Sequence, residues 1–85
     1  MFTKEHAEDN KLMVEVLAPV AEAMSDEQLY DTEWLRDGCG KLTAVLKGMS
    51  IFGHVNPSRI RHRFYVAVGK ERGRRIRERD NVPYA

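Results

Sequence analysis

Apolar residues recur at helical spacing in three stretches of the chain. In the first, Leu12, Val16, Val20 and Met24 repeat every four residues, with Met13, Leu17 and Ala21 beside them. This broad apolar stripe predicts an amphipathic helix facing a core. Thr3 or Asp9 is placed to cap it, and Glu5, Glu8 and Asp9 put negative charge at the positive end of the helix dipole. Pro19 has no amide hydrogen and its ring crowds the carbonyl four residues back, so a kink or break is expected near Ala18. Ser25 followed by Gln28 matches a capping box with Asp26 and Glu27 in its first turn, which predicts a short helix to about Tyr30. Thr32 then offers a cap for the second apolar stretch, in which Leu35, Cys39, Leu42, Leu46 and Met49 follow at spacings of four, three, four and three. Gly38 and Gly40 each cost such a helix roughly 1 kcal/mol relative to alanine, and Gly48 is placed to end it.

The third stretch supports two readings. Asn56 can cap a helix and Pro57 suits its first position, after which Ile60, Phe64, Ala67 and Val68 fall within one arc that leaves Arg59, Arg61 and Arg63 largely off it. The same segment also alternates at period two, with Ile60, His62, Phe64, Val66 and Val68 on one side. A strand over residues 64–68 could then pair with residues 74–80 across a turn between Gly69 and Gly73. The expected fold is therefore all-α, a small bundle of three to four helices with a helix-turn-helix-like C-terminal half. The alternative is α+β, with a C-terminal β-hairpin from about residue 59 to 80. The core expected in the helical case contains Leu12, Val16, Val20, Leu35, Leu42, Leu46, Ile60 and Phe64, with Ile51 and Phe52 turned inward to close it.

At 85 residues the chain is expected to form one domain, divided into an acidic helical half 1–37, a basic half 38–80 and a short tail 81–85. The formal net charge of +1 hides a dipole. Residues 1–37 carry three basic and ten acidic side chains, whereas residues 56–81 carry nine basic against three acidic. Cys39 is the single cysteine, so no internal disulfide is possible, and with His6, His54 and His62 it lacks any paired metal-ligand spacing. No metal or cofactor is expected. Cys39 lies on an apolar seam and the N-terminal carboxylates read as helix-start charge, so no enzymatic centre is expected. No apolar run approaches the roughly 18 residues of a membrane span, and residues 1–10 are too polar for a secretory signal. The expectation is a cytoplasmic protein without a membrane partner.

The arginine-rich segment carries the functional expectation. Guanidinium groups stay charged and make paired hydrogen bonds to phosphate oxygens, so a nucleic acid is the leading partner, duplex DNA ahead of RNA. In the helix-turn-helix reading, Ser58, Arg59, Arg61 and His62 face base edges with Arg63 beside them, while Lys70, Arg72, Arg74, Arg75, Arg77 and Arg79 hold phosphates, as in a small transcriptional regulator. RNA binding stays open. So does an adaptor or inhibitor that binds a protein partner through its acidic or basic face, and so does a homodimer on paired half-sites.

Overall fold

The computed structural model describes residues 4–50 and 52–80, apart from the side chains of Lys4, Glu5, His6 and Glu8. Every regular element among them is helical. The N-terminal helix runs without a break as an α-helical Lys4–Lys11, a π-helical Leu12–Leu17 and an α-helical Ala18–Glu22. No break occurs near Ala18; the helix changes there from π- to α-helical. Proline's crowding of the preceding turn is met instead by a wider register just upstream, where the Ala18 N–H donates to Met13 O, five residues back. Asp9 lies inside this helix and is no cap, and Thr3 lies outside the described residues.

The capping box forms as the sequence predicts. The Gln28 N–H donates to Ser25 Oγ (3.1 Å) and the Ser25 N–H to Gln28 Oε1 (2.9 Å), starting a short helix over Asp26–Tyr30. The central helix, Thr32–Lys47, is capped one residue earlier than expected. Asp31, extended at φ −88°, accepts the Trp34 N–H on Oδ1 at 3.1 Å, and Thr32 is already in the first turn. Gly48 closes this helix, with its N–H shared between Ala44 O and Val45 O.

After residues 48–56 the long helix spans Pro57–Asp80. Asn56 caps it, its side chain accepting from the Ser58 N–H at 2.8 Å. The β-hairpin alternative is thereby overturned. Burial follows the helical period, with Ile60, Phe64, Ala67, Val68 and Glu71 inside, while His62 is exposed and Val66 only half-buried. The sequence pattern weakens past Gly69, yet the helix continues three further turns because its later side chains are tied to the other helices. The helix-connection-helix order of a helix-turn-helix is present. Its connection of residues 48–56 is longer than the three or four residues usual for that motif.

The long helix packs against the N-terminal helix from Leu12 onward and against the central helix, which in turn holds the short helix. The core joins Leu12, Leu17, Leu29, Leu35, Leu46, Phe52, Ile60 and Phe64 with smaller neighbours. Val16, Val20 and Leu42, expected in the core, pack against it half-buried. Ile51 lies outside the described residues. The connection is clamped by the Lys47 ammonium, which donates to Gly53 O (2.6 Å) and Val55 O (3.1 Å). Extents of 50 × 36 × 16 Å leave the molecule about two helices thick, since two packed axes lie about 8–10 Å apart. Much of each helix stays at the surface, and the seams between helices open to solvent as grooves.

Candidate nucleic-acid interface

The long helix positions all eleven residues singled out as nucleic-acid contacts, and tertiary packing divides them into two sets. The first set is occupied internally. Arg63 donates to Asp9 Oδ2 at 3.2 Å, and Arg59 reaches the other oxygen of the same carboxylate at 3.8 Å. Arg72 turns inward, donating from Nε to Leu29 O at 2.7 Å with a second bond from its terminal nitrogen. Its guanidinium also lies 4.7 Å from the centroid of the Tyr30 ring. Leu29 O belongs to the last turn of the short helix, whose carbonyls have no partner within that helix, so Arg72 serves as a C-terminal cap supplied from elsewhere in the chain.

Arg75 does the same for the N-terminal helix. It bonds Glu22 O (3.2 Å) and Met24 O (2.6 Å) while pairing with Asp26 (2.8 Å) and Glu71 (2.6 Å). Arg74 spans Glu71 and Glu78, with contacts of 2.5 Å to each. Glu71 is the hub. Its side chain is 4% exposed and accepts from both guanidinium groups. The Arg74 hydrogen bond, aided by Arg75 and opposed by burial, lowers its carboxyl to about 2. Reciprocally, Glu71 raises the Arg74 pKa, and Asp26 with Glu71 raises that of Arg75. Glu71 was not singled out in the sequence, although arginines three and four positions beyond a glutamate are a readable signal for such pairing.

The second set faces solvent. Ser58, Arg61, His62, Lys70, Arg77 and Arg79 are exposed, and none of the four cations among them contacts a carboxylate of the described residues. Arg61 and Arg79, eighteen positions apart, fall on one line of the helix because 18 residues complete five turns. Lys70 and Arg77 fall on the opposite flank. The structure adds a residue that the sequence did not suggest. Arg36 of the central helix lines a groove of about 350 Å³ with Arg61, Ser58, Thr43 and Tyr65, and with Cys39 on its floor. Arg36 likewise has no ion-pair partner among the described residues. Tyr65 is 39% exposed, and its ring is set by an edge-to-face contact with buried Phe64, centroids 5.4 Å apart at 88°.

The Cys39 thiol is pushed up by burial, against the opposing effects of its Thr43 hydrogen bond and the Arg61 charge, so the groove floor is a weak nucleophile. Among the described residues no group of three or more His, Cys, Asp or Glu side chains is arranged to hold a metal ion. None of the described helices is long and apolar enough to cross a membrane. Comparison with protein families, with curated proteins and with solved structures finds no match for this chain.

Proposed function

We propose that this protein is a small DNA-binding regulator that engages duplex DNA through the start of the long helix. The contact surface comprises Ser58, Arg61, His62 and Tyr65, with Arg36 alongside and Arg79 farther along the same line. The single observation that supports this reading is the uneven neutralisation of the arginines. Those that meet carboxylates or helix-end carbonyls are consumed by the fold, whereas Arg36 and Arg61 open onto one groove with their charge unspent. A paired guanidinium surface beside an exposed tyrosine suits phosphate and base contacts alike. Arg61, four residues into the helix, reads a base edge when the helix start enters the major groove. Arg36 and Arg79 hold phosphates on either side.

The two phosphate contacts, Arg36 and Arg79, give a slope of log K against log salt of about −1.8. Fluorescence anisotropy titrations against duplex DNA, single-stranded DNA and an RNA hairpin at several salt concentrations test the proposal. Arg36→Ala should flatten the slope by about one and weaken binding to all sequences alike. Arg61→Ala should cost about 1–3 kcal/mol on a preferred site. Arg72→Ala and Arg75→Ala should lower thermal stability and leave the slope unchanged. Absence of duplex binding at low salt, or binding indifferent to Arg36 and Arg61, refutes the reading.

A further inference from the structure

On the flank of the long helix away from Arg36 and Arg61, an open trough runs along the seam with the N-terminal helix. One part, of about 650 Å³, is lined by Met13, Val14 and Ala18 on one wall and by Gly69, Lys70, Gly73 and Arg77 on the other. A second part, of about 770 Å³, shares Met13, Val14 and Lys70 with it and extends to Asn10 and Ala7. Three features of this trough have no use inside the fold. Val14 is an aliphatic side chain left 59% exposed, and it projects from the π-helical stretch, a distortion that often accompanies functional sites. Gly69 and Gly73 weaken the middle of a helix by roughly 1 kcal/mol each, yet no internal close approach requires them. A Cβ at Gly69 would meet nothing within 4 Å, and one at Gly73 would meet only the tip of the Arg77 side chain at 3.4 Å. Lys70 and Arg77 stand on the rim two turns apart, about 10.5 Å along the axis, and contact no carboxylate of the described residues.

We propose that this trough is a docking site for an acidic amphipathic helix of a partner protein. The apolar wall takes the partner's apolar stripe, and the bare backbone at Gly69 admits the partner at short interaxial distance. Lys70 and Arg77 select carboxylates seven positions apart on the incoming helix. Glu22, exposed at the Arg77 end of the trough, favours a basic residue there and so sets the direction of the bound helix. The wall from Ala7 to Glu22 is about 22 Å long, which accommodates about 15 residues of helix. A nucleic acid would satisfy the two cations and leave Met13, Val14 and Ala18 facing a polar strand.

The test is a display library of helical peptides about 15 residues long, with a fixed apolar stripe and every flanking position drawn from Glu, Lys and Ser. Selection on the full chain should enrich glutamate at two positions seven apart. Selection on the Lys70→Glu, Arg77→Glu double variant should switch those same positions to lysine. Gly69→Leu should reduce retention of the selected peptide at least tenfold with an unchanged or higher melting temperature, which separates loss of the site from loss of folding. The proposal is overturned by no enrichment above bare matrix, by identical enrichment on both forms, or by a Gly69→Leu variant that binds as well as the parent. Duplex DNA binding that needs Lys70 and Arg77 and is indifferent to Gly69→Leu also overturns it. So does a concentration-dependent dimer that Gly69→Leu dissolves.

Discussion

Replacing Glu71 by glutamine should destabilise the protein by about 2 kcal/mol at neutral pH, even though the two side chains have nearly the same shape. The Glu71 carboxyl sits at about 2 in the folded chain against an ordinary 4.5, a preference for the charged form worth about 3 kcal/mol. Water screens part of this, because Arg74 is 44% exposed, and about 2 kcal/mol is the share expected to remain. Glutamine keeps one acceptor and turns an amide N–H₂ towards two guanidinium groups, so Arg74 and Arg75 are left with Glu78 and Asp26 as their carboxylate partners. For a domain of this size the loss corresponds to a fall in melting temperature of roughly 8–16 °C, readable by circular dichroism.

The sign with pH follows from the lowered value. The unfolded chain takes up the proton near 4.5 and the folded chain only near 2, so the stabilisation is complete above about 4.5 and is lost as pH falls through about 2. The gap between parent and Glu71→Gln should therefore be widest above pH 5 and close towards pH 2. Glu78→Gln, which alters an arginine partner 65% exposed to solvent, should change stability by less than about 0.5 kcal/mol. A Glu71→Gln gap below about 0.5 kcal/mol at pH 7, or one equally wide at pH 2 and pH 7, would show that the hub does not tie the helices together.

Two further substitutions test the packing. Leu46→Ala, at a side chain 1% exposed, should cost about 2–5 kcal/mol in urea denaturation, whereas Val45→Ala next to it, 62% exposed, should stay within about 0.5 kcal/mol. Gly38→Ala should stabilise the central helix by about 0.5–1 kcal/mol in the same assay, since a Cβ there meets nothing within 4 Å.

The local signals in the sequence were those that depend on neighbours a few residues away. The Ser25–Gln28 capping box and the Asn56-Pro57 start appear where their chemistry places them, because each is decided by hydrogen bonds within one turn, and the central helix ends at Gly48 as expected although that glycine stays right-handed at φ −80°. The seam through Leu35, Cys39 and Leu46 is legible for the same reason. The strand and helix readings of residues 59–80 could not be separated locally. Ile60, Phe64 and Val68 are four apart, a spacing that fits period two and period 3.6 alike. Burial of Ala67 and Glu71 separates them, and both are buried only because the N-terminal helix lies against that side.

The sequence by itself determined helices up to about residue 48 and a chain with its anionic side chains concentrated at one end and its cationic ones at the other, since periodicity and charge are properties of residue order alone. Only the tertiary structure decided which cations remain available to a partner. Arg63 meets Asp9 across 54 positions, Arg72 meets Leu29 across 43, and Arg75 meets Asp26 across 49. No local pattern foretells such meetings, because they depend on how whole helices are set against each other. The same packing brings Arg36 to Arg61 and leaves Lys70 and Arg77 on the opposite flank. A guanidinium is spent or free according to the carboxylate or carbonyl that folding carries to it, and that is a property of the assembled helices.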